Sequence, residues 1–189
     1  MQPRVLKEEV LGEGEFQALT LLTYRDARGR TRTWECCTRK GARGAVLVVA
    51  VTREGELLLA RQFRPPVDAY VLELPAGLVD REEESPSEVA ARELAEETGY
   101  RAGRLALLTQ GPVSPGMTSE YIWVYLATEL TPGAPQPDDG EQIELLRVPL
   151  DRVEEELATR QGRGELVDPK IPGFTYLGRA VMGRTGAGG

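Results

Sequence analysis

The apolar residues of this chain come in short runs, and most of them repeat with the period of a strand. On either side of the turn "DARGR", the segments "FQALTLLTYR" and "TRTWECCTRK" alternate, which predicts two strands. Ala45 to Val51 form a continuous apolar run, as in a buried strand, and a turn at Arg53 to Gly55 leads into a second strand from Glu56 to Gln62. Pro65 and Pro66 end that hairpin, and "YVLELPAG" gives a further short strand that stops at Pro75. The pattern changes at Ser85. Ser85 can cap a helix, with Pro86 at its first position and Glu88 at the third, and Gly99 stands where a left-handed C-terminal residue belongs. Beyond it, "LALLTQ" and "YIWVYLATEL" read as strands around the loop "GPVSPGMTSE".

The run "LTPGAPQPDDGEQ" has the polar, proline-rich character and length of a functional or disordered loop. A strand "IELLRVPL", a helix "LDRVEEELATRQG", a weaker helix after Pro172 and a mobile tail "GRTGAGG" complete the chain. Many strands with few helices predict an α+β domain around a mixed sheet. Residues 1–43 form a small β region too short for a core of its own, expected to pack on the main domain, residues 44–189, or on another subunit.

Composition narrows the chemistry. A chain of 189 residues with a net charge of −7 fits one domain and argues against a nucleic-acid partner, because phosphate backbones demand basic surface. No apolar run approaches membrane-spanning length and no secretory leader is visible at the first residues, so a cytoplasmic protein with no membrane partner is expected. Cys36 and Cys37 are adjacent and point to opposite faces of a strand, which disfavours a bridge between them. With His 0, zinc sites of the Cys/His kind and Ser-His-Asp catalysis are both excluded. Catalysis has to run on carboxylates, arginine, lysine, tyrosine or a hard metal ion.

The carboxylates are concentrated in the helix that begins after Ser85. Glu93 and Glu97 lie one turn apart on one face with Glu96 beside them, while Ala90, Ala91, Leu94 and Thr98 form the adjacent, inward face. Like charges at this spacing repel by a few tenths of a kcal/mol per pair, roughly, and Arg92 offsets part of that by pairing with Glu96. A hard divalent cation would remove the rest, since it takes carboxylate and carbonyl oxygens. A solvated acidic helix with a surface Arg92–Glu96 pair is the alternative.

The segment "GLVDREEESPSEVAARELAEETGY" resembles the Nudix box, Gly-x5-Glu-x7-Arg-Glu-aliphatic-x-Glu-Glu-x-Gly-aliphatic. Arg92, Glu93, Leu94, Glu96, Glu97 and Gly99 occupy its places, and Glu84 precedes Arg92 at the box spacing. The chain departs from the pattern twice. Gly77 is one residue further from Glu84 than the box allows, which leaves Glu83 as a rival to Glu84, and the last position is Tyr100. Together with "RTWE", "QFRPP", "ELPAGLVD", "SPG" and "DDGE", the box looks like that of the ADP-ribose and ADP-sugar pyrophosphatase branch of the Nudix hydrolases.

That resemblance implies an α/β/α sandwich around a mixed sheet and a homodimer in which the N-terminal β region reaches the partner. It implies that Glu93, Glu97 and the Ala76 carbonyl bind Mg²⁺ or Mn²⁺, with Glu96 and Glu84 completing the set, that Arg92 belongs to the catalytic group and that Gly77 contacts the substrate. Glu141 in "DDGEQ" is the first candidate for general base, with Glu96 or Glu84 as rivals and an ordinary loop carboxylate as the alternative. Arg64 would pair with phosphate, or else be a surface arginine before two prolines. Trp34 would stack on adenine with Glu35 accepting from its amine, or Trp34 would simply fill the core. Pro115 and Gly116 would shape the pocket loop. The implied reaction is hydrolysis of ADP-ribose to AMP and ribose 5-phosphate, with other ADP-sugars as further substrates. A different nucleoside-diphosphate sugar such as GDP-mannose, or a module that senses ADP-ribose without cleaving it, are the competing readings.

Overall fold

The computed structural model describes residues 1–136 and 142–186. The first three strands, β1 (Arg4–Glu13), β2 (Gln17–Arg25) and β3 (Thr31–Arg39), make an antiparallel sheet of their own. Then come β4 (Ala45–Val51), β5 (Glu56–Arg64), β6 (Ala69–Glu73), β7 (Ala76–Leu78) and the helix α1 (Pro86–Thr98). They are followed by β8 (Tyr100–Arg101), β9 (Arg104–Pro112), β10 (Tyr121–Thr128) and β11 (Thr131–Pro132). The last elements are β12 (Ile143–Pro149), α2 (Val153–Gly162), β13 (Leu166–Val167) and α3 (Lys170–Gly186).

The main sheet runs β13-β6-β5-β4-β10-β9, with β12 also on β5 and β7 also on β4. It is mixed, because β10 lies parallel to β4 and β13 parallel to β6 while the other pairs are antiparallel. Strand β4 shows why two helical layers are needed. Its side chains alternate between faces, and both faces are buried. Leu47, Val49 and Val51 join one core with Val153, Leu157 and Ile171 from α2 and α3. Val46, Val48 and Ala50 join a second core with Val89, Ala90 and Leu94 of α1. The result is the expected α/β/α sandwich, an α+β fold around a mixed sheet.

The sequence signals at α1 are all realised. The Ser85 side chain accepts from the Glu88 amide while the Glu88 carboxylate accepts from the Ser85 amide, and Gly99 closes the helix at φ 76°. A Cβ on Gly99 would lie 2.6 Å from the Gly133 carbonyl oxygen, so the position needs glycine for space as well as for φ.

Some elements differ from the sequence reading. Strand β1 lies outside the two alternating segments, and every one of its residues is exposed, so it carries no burial pattern. The segment containing Pro75 is two strands, because β7 resumes at Ala76 and pairs with β4 through Leu47, Val46 and Ala45. Helix α3 starts before Pro172, which sits in its first turn, where a missing N–H costs nothing. The Asp168 carboxylate, accepting from the Lys170 amide at 2.9 Å, starts that helix. The helix also runs on into the tail expected to be mobile, as far as Gly186.

Candidate active site

Strand β7 and helix α1 meet backbone to carboxylate. A Cβ built on Gly77 would lie 2.0 Å from the Glu93 carboxyl carbon, so only glycine lets that side chain rest against the strand. One residue earlier, the Ala76 amide donates to a Glu97 carboxylate oxygen at 3.3 Å. Glu97 is only 8% exposed, whereas a solvated acidic helix would leave its charges in water. The inward face of α1, Val89, Ala90 and Leu94 in the core, fixes this orientation.

Arg92 organises the remaining charges. Its guanidinium donates to Glu93 and Glu96 at 2.9 Å each and to Glu84 at 3.2 and 3.3 Å, so it spans three carboxylates instead of the single Glu96 pair. Burial opposes its charged form, but the hydrogen bond to Glu84 and the charges of Glu93 and Glu96 outweigh that and raise its pKa above the ordinary arginine value. Arg81 reaches the other oxygen of Glu84 at 3.2 Å. It is Glu84, therefore, that the structure brings to Arg92.

In front of Glu93 and Glu97 opens a cleft of about 440 Å³. Ala76 and Gly77 form part of its floor, and Arg39, Arg64, Arg81 and Arg92 bring four guanidiniums to its walls. Arg64 donates to Glu73 at 2.7 Å, and Arg39 to Glu120 at 2.7 Å. Facing carboxylates and arginines suit a bound polyphosphate, since the guanidiniums pair with phosphate oxygens and the carboxylates with a cation or a proton. Sequence reasoning found Arg64 but missed Arg39, Arg81, Glu73 and Glu120. Arg39 was within reach, because it follows Glu35 on the same face of an uninterrupted strand, four positions on.

The rest of the site spans the N-terminal sheet and the 113–120 loop. Trp34 is 50% exposed, which rules out core filling, and its indole N–H donates to the Gly116 carbonyl at 3.1 Å. The Cys37 amide donates to the Met117 carbonyl at 2.8 Å, a second tie between β3 and that loop. Pro115 and Gly116 lie in a turn in which the Ser114 carbonyl accepts from Met117 and Thr118 at 2.9 Å each. Trp34 and Glu35 are successive residues of a strand, so their side chains leave β3 on opposite faces. One chain alone does not set them side by side. Glu141 lies outside the described residues.

The donor set suits a hard cation, with the carboxylates of Glu93 and Glu97 beside the backbone of Ala76. Among the described residues no three His, Cys, Asp or Glu side chains converge as a ready coordination shell. Arg92 holds Glu93, Glu96 and Glu84 in its place.

The layered mixed sheet, with its carboxylate-edged helix opposite cleft arginines, is that of the Nudix family, to which the chain belongs: the family's NUDIX domain model matches residues 41–168. It is 38% identical over 159 residues to the ADP-sugar pyrophosphatase of Mus musculus, covering 77% of this chain and 72% of that protein. It is 42% identical over 110 residues to the ADP-ribose pyrophosphatase of Bacillus subtilis, covering 57% of this chain and 59% of that one. A crystal structure of an ADP compounds hydrolase superposes with a TM-score of 0.79 over 98% of this chain and 97% of its own at 24% identity, which supports the fold. Within the family the chain falls in the ADP-ribose and ADP-sugar pyrophosphatase branch, and it is a pyrophosphohydrolase.

Proposed function

We propose that the protein hydrolyses the pyrophosphate bond of ADP-ribose to AMP and ribose 5-phosphate, and that other ADP-sugars are further substrates. The observation that carries this reading is the cleft itself, where Glu93 and Glu97 meet the Ala76–Gly77 backbone across from Arg39 and Arg64. The named relatives supply the substrate class. Mg²⁺ or Mn²⁺ would be held by Glu93, Glu97 and the Ala76 carbonyl, with Glu96 and Glu84, both tied to Arg92, completing the set. When bound, the metal neutralises charge on the pyrophosphate and makes a water more acidic.

The protein's own residues do the rest. Arg64 and Arg39 orient the phosphates, and Glu73 and Glu120 keep those guanidiniums on the walls, away from Glu93 and Glu97. Arg92 keeps the carboxylates together and gives up part of its hold on Glu93 when a cation arrives. Glu141 is the proposed general base, with Glu96 and Glu84 as its rivals. Trp34 stacks on adenine. The fully exposed strand β1, with Val5, Leu6, Val10 and Leu11 each more than two-fifths exposed, supports a homodimer in which the N-terminal sheet is covered by a second copy. Cys36 and Cys37 are both free thiols, which agrees with a reducing cytoplasm.

A panel of nucleoside-diphosphate sugars with Mg²⁺, products read by chromatography, tests the substrate. AMP and ribose 5-phosphate from ADP-ribose at the highest kcat/KM support the proposal. Preferential cleavage of GDP-mannose would reassign the substrate, and tight ADP-ribose binding with no cleavage would make this a sensing module.

A further inference from the structure

The loop between β7 and α1 carries one residue more than the family pattern, and a residue outside the box stands against it. Arg43, in the linker between β3 and β4, donates from its guanidinium to the Arg81 carbonyl at 3.2 Å and to the Glu84 carbonyl in a shorter contact. These two carbonyls bracket the turn at Glu82 and Glu83, the stretch where the extra residue lies. The linker itself is fixed. The Arg43 amide donates to the Val79 carbonyl at 2.8 Å, and the Val79 amide to the Gly44 carbonyl at 2.9 Å. Gly44 has φ 148°, and a Cβ there would lie 2.2 Å from the Tyr121 carbonyl oxygen, so the guanidinium projects from an anchored backbone.

Glu84 is the end of the loop that matters. Its carboxylate bonds Arg92 and Arg81 while its backbone carbonyl bonds Arg43, so its position is fixed from two sides. A longer loop has more conformations to lose, and two carbonyls tied to one cation restrict them.

We propose that Arg43 is a positioning residue for the catalytic loop. It absorbs the extra residue between Gly77 and Glu84 and so keeps the Glu84 carboxylate on Arg92, at the edge of the cleft. The consequence for turnover rests on the reading of Glu84 as part of the pyrophosphatase site. The consequence for the loop rests on the structure alone. Arg43 does not line the cleft, so substrate affinity is not its task.

The test uses four proteins: wild type, Arg43→Ala, Arg43→Lys and Arg43→Ala with Glu83 deleted, which restores the five-residue spacing while leaving Glu84 and Arg92 in register. Hydrogen exchange of residues 80–85 in metal-free protein is read first, then ADP-ribose turnover with Mg²⁺. Arg43→Ala is expected to speed exchange of this loop and lower kcat about tenfold, the worth of a hydrogen bond from a charged group, with KM within about twofold. Arg43→Lys, which keeps a cationic donor, should recover much of both losses, and deletion of Glu83 should recover exchange protection and kcat together. Wild-type exchange in Arg43→Ala overturns the proposal, and so does a deletion that leaves both losses uncorrected. A wild type that does not cleave ADP-ribose refutes the functional reading instead, and the exchange data still decide the clamp.

Discussion

Helix α1 and the N-terminal sheet both belong to the proposed site, and they differ in how much of their chemistry one chain completes. On α1 the polar groups have partners from the chain itself. Glu97 takes the Ala76 amide, Glu93 rests on Gly77, and Arg92 gathers Glu84, Glu93 and Glu96. Val89, Ala90 and Leu94 are fully buried beneath them, so the helix cannot turn without losing core. On the sheet, Trp34 and Leu11 stand half-exposed and all of β1 is open. The contrast separates two kinds of precision. Charge placement on α1 is built by local packing, while the proposed adenine side would need a second copy and a ligand to complete it.

The largest effect should come from the α1 side. Glu97→Gln keeps size and the contact with the Ala76 amide but removes a charge from the cleft, so kcat is expected to fall by at least about a hundredfold with an unchanged circular dichroism spectrum. Near-normal turnover in that variant would make α1 an ordinary acidic helix. Next comes Gly77→Ala, which pushes the Glu93 carboxylate off the strand. A displacement of about 1 Å in a catalytic group costs roughly a hundredfold, so a kcat loss between tenfold and that limit is expected. A lower melting temperature with kcat unaltered per folded molecule would reduce Gly77 to a packing position.

The sheet side should respond in KM. Trp34→Ala removes a stacking surface worth about 1–3 kcal/mol per base, so KM for ADP-ribose should rise roughly tenfold to a hundredfold with little change in kcat. Wild-type protein should sediment as a dimer on the same preparation. A monomer with normal KM for ADP-ribose would remove the second copy from the site and erase the contrast. The smallest effect tests the scaffold. Ser85→Ala breaks the capping box and should cost about 1 kcal/mol of stability, read by denaturant unfolding, with KM unmoved. A large loss of activity there would mean that the cap holds Glu84 in place as well as the helix.

Legibility in the sequence follows the same division. The capping box, Gly99 and the spacing of Glu93, Glu96 and Glu97 were readable because helix ends and helix faces are local properties. Strand β4 was readable for a similar reason, since a continuous apolar run means burial on both faces. Strand β1 was not, because "RVLKEEVLGE" buries nothing in this chain and its pairing with β2 is a backbone matter. Arg43 has no signal in the sequence, because its partners, the carbonyls of Arg81 and Glu84, are distant from it, while Arg39 shares a strand face with Glu35 but has an equally remote partner in Glu120. Pro172 misled because a proline after "DPKI" looks like a boundary, whereas Asp168 starts the helix two residues before it.

The most direct test of the account is to incubate ADP-ribose with wild type and with Glu97→Gln, each with Mg²⁺ and each with excess chelator, and to separate the products by chromatography. Wild type with Mg²⁺ should give AMP and ribose 5-phosphate in equal amounts, while chelator abolishes the products and Glu97→Gln nearly does. Full turnover by metal-stripped wild type, or equal turnover by Glu97→Gln, would contradict the claim that the carboxylates of α1 cleave a pyrophosphate with the help of a divalent cation.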